Sequence, residues 1–597
     1  LKHLARLNKY FWKYKWLLFL GVLFVTISNV VGVYPPRIIR YALDIVKDNL
    51  DLYRALDGFK ASTSFYQFFS YSLILFGSAV LLLAIIKGFF MFMMRQTLIV
   101  MSRKVEFDLK NEVYQHYQKL GMAFYKRNQT GDLMSRISED VSRVRMYLGP
   151  AVLYAVNLFV LLFMVIFTMF SVNVRLSWFV LLPLPLLSLS IFYINNIIHK
   201  RSERIQKQLS NLTSIGQESF SGIRVLKSYV QEQPVLDFFK SESEEYRKVS
   251  LDLARVHAMF FPLMLLLIGS STVLTVWIGG NEVMRGNISG GNIAEFVIYV
   301  SMLTWPVTSI GWVASLVQRA SASQKRLNEF LEEDQDIFTP ENAHDEKLRG
   351  QLSFRNVSFT YPDTGIEALK NVSFDVKQGE RIAITGRTGS GKSTLAALIA
   401  RFYDVSQGEI SLDKVNIKQW NLPSLRRQLG LVQQDIFLFS ETVKNNIAFG
   451  LPGASDEAIQ DAAIMADVWK DIQGLPRGLS TMVGERGVTL SGGQKQRLSL
   501  ARTLIKKPSL IVFDDCLSAV DAATEETVLN NIQEFTESRT SIVITHRVTS
   551  LLNFDKILVL DQGDLVEIGS HQELIALEGT YFQLYMKQLD DSQKKVG

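Results

Sequence analysis

The sequence has few of the residues that build covalently stapled or metal-held folds. It contains one cysteine, Cys516, and 7 histidines in 597 residues. One thiol cannot make an intramolecular disulfide, and no paired Cys/His spacing marks a zinc site, so the soluble part reads as cytoplasmic. No sign of charge dominates: 64 basic against 58 acidic residues leave a formal charge of +6, modest for this length. Charge is scarce in a more informative way in six long apolar runs: none holds a charged residue, and Lys87 stands just past the end of the second. Basic side chains instead crowd the segments between the runs. That pattern fits the cytoplasmic loops of a membrane protein, and the runs decide against nucleic-acid contact.

The runs lie at 16–33, 61–86, 147–174, 176–198, 258–280 and 296–318. Each approaches or exceeds the roughly 20 residues needed to cross about 30 Å of hydrocarbon. A buried soluble helix explains one such run, not six. All fall before residue 320, and the chain exceeds the size at which one core keeps growing. The expected organisation is therefore a membrane domain over 1–330, a charged, proline-containing linker over 331–350, a soluble domain over 351–590 and a charged tail over 591–597. The first run has membrane-spanning length and no small-residue cleavage pattern, so no cleavable leader is expected.

Basic residues follow the second run (Arg95, Arg103, Lys104, Lys110) and the fourth (Lys200, Arg201, Arg204, Lys207). The positive-inside rule places these two long segments, both termini and the soluble domain in the cytoplasm. Val105, Leu109, Val113, Tyr117 and Leu120 recur at helical spacing, which predicts a helical hairpin reaching beyond the membrane. Breaks are expected at 130–132 and 221–222, where the hairpin tips touch the soluble domain.

Beyond the linker, short apolar strands alternate with helices, as in an α/β domain with a largely parallel sheet. The segment 381–385 reads as a strand and 393–402 as a helix. Between them stand Gly386, Arg387, Thr388, Gly389, Ser390, Gly391, Lys392 and Ser393, followed by Thr394. This is the G-x-x-x-x-G-K-[ST] phosphate loop: glycines let backbone N–H groups turn toward phosphate oxygens, Lys392 reaches the β- and γ-phosphates of ATP, and Ser393 coordinates Mg²⁺. The apolar run 510–514 ends in Asp514, a second candidate for the metal. The run 542–546 delivers His546 at its end.

Between the loop and Asp514 lies Leu490-Ser491-Gly492-Gly493-Gln494, which resembles the signature of ATP-binding-cassette (ABC) transporters. In family order, Tyr361 resembles the aromatic that stacks on adenine, and Gln434 the Q-loop glutamine that also reaches the metal. Gly484-Glu485-Arg486-Gly487 resembles the X-loop, Ser518-Ala519-Val520-Asp521 the D-loop, and His546 the switch histidine. One six-helix transmembrane domain followed by one cassette resembles a half-transporter of the type IV exporter group, the multidrug and lipid exporters. The resemblance implies a multi-pass protein of the bacterial cytoplasmic membrane. It also implies a dimer with a second half-transporter, in which Ser491, Gly492, Gly493 and Gln494 of one copy complete the ATP site of the other.

One residue departs from the family pattern. Asp515 stands where a glutamate usually orients the attacking water, and aspartate is shorter by about 1.5 Å. Two arrangements stay open: a homodimer hydrolysing ATP through Asp515 with Gln434 and His546, or a regulatory subunit whose slow site sits beside a partner's fast one. The expected activity is ATP-driven export of a hydrophobic or amphipathic compound by alternating access, since the spans offer no strong site for an ionic cargo. Phe260, Phe261, Met264, Met302 and Trp305 are pocket candidates; packing and lipid contact are the commoner uses of such residues.

Overall fold

The computed structural model describes residues 2–55, 60–484, 487, 489–516, 520, 522–547, 552 and 554–594. Two compact units emerge, one formed by Leu1–His116 with Gly131–Glu333, the other by Tyr117–Thr130 with Asp334–Gly597.

Among the described residues of the first unit, six helices are long and apolar enough to cross a membrane, one for each run read from the sequence. They run over Lys15–Ala55, Lys60–Lys119, Thr130–Val172, Val174–Ser221, Glu232–Met284 and Gly290–Leu331. At 60 residues, the second would extend about 90 Å, three times the hydrocarbon thickness, so much of it continues past the bilayer. Val165, Met169, Leu176, Val180, Phe296, Tyr299 and Leu303 are buried among the helices. On the outer face of the third, Phe159, Phe163 and Phe167 recur at a spacing of four and are 69%, 68% and 65% exposed. A stripe of bare phenylalanine belongs in lipid, not water.

The outer links are pinned by polar caps. Asn173 accepts from Leu176 N at 2.8 Å to start the fourth span, and Ser289 forms a reciprocal capping box with Asn292 to start the sixth. Prolines sit within five of the long helices, at Pro35, Pro36, Pro150, Pro183, Pro185, Pro234, Pro262 and Pro306. At Pro150 the third helix takes a π-type turn over Tyr147–Ala151, which accommodates the missing N–H donor.

The hairpin tips differ in part from expectation. The second helix stops at Lys119; a short helix, Met122–Arg127, follows, and the chain re-enters a helix at Thr130. The break expected at 130–132 is instead a helix start, because Thr130 and Asp132 suit a first turn, while extended Gly121 and Asn128 make the real interruptions. The second tip breaks at Gly222 as expected, then forms Ile223–Ser228.

The described residues of the second unit form ten strands. β1 (Leu352–Thr360), β2 (Glu367–Val376), β4 (Gln407–Leu412) and β5 (Val415–Asn416) form an antiparallel sheet in the order β2-β1-β4-β5. The other six are β3 (Arg381–Gly386), β6 (Leu429–Val432), β7 (Leu510–Asp514), β8 (Thr540–Ile544), β9 (Lys556–Asp561) and β10 (Asp564–Gly569). They are ordered β10-β9-β3-β8-β7-β6, parallel except for the edge strand β10. Helix Lys392–Ile399 buries Leu395, Leu398 and Ile399 in one core with Phe354 and Ile410 of the first sheet and Ile382 and Leu558 of the second. A second core gathers helices Asp456–Met465 and Gly492–Leu504 around Val432 and Phe513.

Within the first unit, Asp140 is buried and accepts from two nitrogens of Arg326, the Nε bond being 3.0 Å; Arg326 itself is 48% exposed. Arg326→Ala is expected to destabilise by about 1–3 kcal/mol, because it leaves a buried carboxylate to partial hydration. Adding Asp140→Asn should recover part of the loss, as read by thermal unfolding in detergent.

Candidate ATP site

Adjacent parallel strands deliver the site at their carboxyl ends. β3 ends in Gly386, β7 in Asp514 with Asp515 next, β8 ends two residues before His546, and β6 two before Gln434. The run expected to carry His546 at its tip thus stops as a strand at Ile544, and Thr545 N bonds back to Ile384 O at 3.1 Å. Ligands of open α/β sheets gather outside this edge, beyond the strand ends.

The loop's glycines are required by shape. Gly386, Gly389 and Gly391 have φ of 144°, 83° and 98°. A Cβ on Gly391 would stand 2.4 Å from the Ala368 carbonyl oxygen, and one on Gly386 would stand 2.0 Å from that of Leu560. Lys392 folds back over the loop, donating to Gly386 O at 2.9 Å and Arg387 O at 2.7 Å. Burial holds its pKa below the ordinary lysine value, with Asp515 and Asp514 acting against that.

Ser393 Oγ donates to Asp514 Oδ1 at 3.0 Å, which joins two of the three expected metal ligands, while the side chain of the third, Gln434, bonds to Asp515. A hydroxyl and a carboxylate at this distance suit Mg²⁺, which takes few protein ligands and completes its shell with phosphate and water. Burial raises the Asp514 pKa, opposed by the Ser393 hydrogen bond. Protonation that removes the ligand therefore sets in at a higher pH than for an ordinary aspartate.

Asp515 is held in a left-handed conformation, φ 46°, and its N–H bonds to Ile544 O at 2.9 Å. Aspartate is one of the side chains that tolerate this region. The turn aims the carboxylate between two neighbours: Gln434 Nε2 donates to Oδ2 at 3.3 Å, and His546 Nδ1 lies 3.0 Å from Oδ1. Cys516 is buried behind it, and burial pushes its thiol up to about 12, so it is inert as a nucleophile.

Tyr361 hydrogen-bonds through its hydroxyl to Thr394 Oγ1 at 3.0 Å, beside the loop. Ser491 and Gln494 lie elsewhere. Ser491 caps helix Gly492–Leu504 in a capping box with Gln494, whose Nε2 donates to Asp471 at 3.0 Å; Ser491 and Gly492 are exposed. Glu485, Arg486, Ser518, Ala519 and Asp521 of the expected X- and D-loops lie outside the described residues. Two side chains that motif reading missed stand at the aromatic edge. Lys126 lies over Tyr361 and Tyr403, and no local pattern pointed to either Lys126 or Tyr403.

Comparison with known proteins follows the same division. Residues 18–307 match the ABC transporter transmembrane region and 369–518 the ABC transporter ATPase model. The chain is 34% identical to YheI of Bacillus subtilis, covering 97% of this chain and 96% of that one. It is 33% identical to the multidrug resistance-like ATP-binding protein MdlA of Escherichia coli, over 98% of each. This chain belongs to the ABC transporter family. The ATP-dependent lipid A-core flippase of Syntrophus aciditrophicus is 32% identical over 87% of this chain and 86% of its own. The solved structure of a bacterial Atm1-family ABC exporter with ATP bound aligns with a TM-score of 0.76 at 26% identity, covering 98% of this chain and 100% of that one. This transporter is accordingly a multi-pass membrane protein with its ATPase domain on the cytoplasmic side.

Gly391→Ala in the transporter is expected to cost about 1–3 kcal/mol in ATP binding, roughly fivefold to 150-fold, since the new methyl meets backbone. Gly389→Ala should lose less, because no atom lies within 4 Å of its Cβ position. Equilibrium nucleotide binding by the two variants checks the ranking.

Proposed function

We propose that the chain is one half of a homodimeric, ATP-driven exporter that hydrolyses ATP through its own Asp515. The cargo is a hydrophobic or amphipathic compound, moved out of the cytoplasm or between leaflets. The observation that carries this reading is the continuous link Gln434–Asp515–His546, at 3.3 and 3.0 Å, beside Lys392. A shorter carboxylate that still touches both neighbours is positioned for work, and the left-handed turn at Asp515 supplies the re-aiming. The substrate class follows from apolar runs that hold no charged residue and from relatives named for multidrug resistance and for flipping lipid A-core, itself amphipathic.

The roles divide as follows. Tyr361 stacks on adenine, and residues 386–394 cradle the phosphates through N–H groups at the start of helix Lys392–Ile399. Lys392 leaves the loop carbonyls for the β- and γ-phosphates. Ser393, Asp514 and Gln434 hold Mg²⁺, which neutralises developing charge on the phosphate oxygens. Asp515 accepts the proton of the attacking water, while His546 fixes the carboxylate and faces the γ-phosphate. Ser491 and Gly492, both exposed, with Gly493 and Gln494 behind them, close the site of the partner subunit, so hydrolysis requires two copies.

Purified alone in lipid vesicles, the chain should turn over ATP, and Lys392→Ala should abolish this. Asp515→Asn is expected to lower turnover by about 10²-fold or more, the usual size of a general-base contribution. Asp515→Glu should change it by less than about tenfold, because the turn already compensates for the missing methylene. Binding without turnover in the unaltered chain, with a rise above tenfold in Asp515→Glu, favours the regulatory-subunit reading instead.

A further inference from the structure

The short helix Met122–Arg127 belongs to the same compact unit as the ATPase domain, and Ala123 is buried in its core. From this helix the Lys126 ammonium stands over the Tyr361 ring, 4.3 Å from its centroid, and 5.5 Å from that of Tyr403. Phe359 and Tyr403 meet Tyr361 edge to face, at centroid distances of 4.9 and 5.6 Å. The ring is fixed further by the bond from its hydroxyl to Thr394. Among the described residues no ion pair engages Lys126, and its charge faces the two rings and the Tyr403 hydroxyl. An ammonium at this distance on a ring face is a cation–π contact. A base stacked on that same face would need the space the ammonium fills, since stacked rings approach to a similar distance.

We propose that Lys126 is a base-sensing residue: its ammonium covers the face of Tyr361 that the purine of ATP stacks on, so nucleotide binding displaces it. This rests on the reading of Tyr361 as the adenine partner. The consequence is a link carried by one side chain. Met122–Arg127 is joined through the chain to the second and third spans, so a bound base loosens one attachment of that hairpin to the ATPase domain. Base and ammonium compete, and the phosphates take no part in the competition.

Binding of ATP and of tripolyphosphate, which has no base, to the full-length transporter in vesicles tests this. Lys126→Met keeps the helix packing and removes the charge; it should tighten ATP binding about two- to fivefold, the worth of a partly exposed cation–π contact. Tripolyphosphate affinity should not change, Lys126→Arg should behave as the unaltered chain, and the gain should vanish in a Tyr361→Ala background. Labelling by an amine-reactive reagent, mapped by mass spectrometry, should rise at Lys126 with ATP and not with tripolyphosphate. An ATP affinity unchanged or weakened by Lys126→Met, or an equal gain for tripolyphosphate, overturns the assignment. Failure of the unaltered chain to bind ATP would overturn the nucleotide reading of Tyr361 and this inference together.

Discussion

The ATPase domain depends on one constraint: helix Lys392–Ile399 must be buried between two sheets while its first turn stays open to a polyanion. Leu395, Leu398 and Ile399 fix the helix, and β3, central in its sheet, fixes the chain entering it. What remains is a loop too tight for side chains at Gly386 and Gly391. Backbone N–H groups exposed at a helix N-terminus attract phosphate whatever the rest of the molecule does. The neighbouring strands then add specificity. In the order β3-β8-β7-β6, each strand contributes from its carboxyl end, so side chains distant in sequence converge without any long loop having to hold them.

The membrane half obeys the opposite rule. Its helices pack through a modest buried seam and leave large apolar side chains bare, because lipid provides no hydrophobic drive for covering them. A polar pair inside the spans, Asn29 with Asn157, is hydrogen-bonded at 2.9 Å, and at the helix ends caps such as Ser289 and Asn173 satisfy the first N–H groups before the chain enters hydrocarbon. Ion pairs gather at the cytoplasmic ends. Lys13 with Asp108 and Lys9 with Glu112 tie the N-terminal helix to the extension of the second span.

Much of this was legible in the sequence, for physical reasons that differ by feature. Six spans are visible because the length of an apolar run is set by the bilayer. The phosphate loop is visible because glycine spacing records backbone contact directly. The break at 130–132 was misplaced because Thr-Gly-Asp serves equally well as an interruption or as a helix start, and only the extended backbone at Gly121 and Asn128 distinguishes them. Lys126 over Tyr361 was invisible for another reason. It is a contact between segments far apart in the chain, and neither side chain carries a local pattern that announces the other.

Asp515 shows how a substitution that looks damaging in a motif acquires a different meaning in three dimensions. Judged by side-chain length alone, it falls short by a methylene. Yet reach is the sum of side chain and backbone, and the backbone at Asp515 is turned into a region that aspartate enters more readily than most side chains. The same turn anchors its N–H on β8, the strand that leads to His546, so the carboxylate and the imidazole are referenced to one frame. Glutamate placed on this backbone would have to fold its extra methylene back to keep both neighbours. The sequence difference and the backbone conformation therefore make sense as a pair, and neither is informative about hydrolysis without the other.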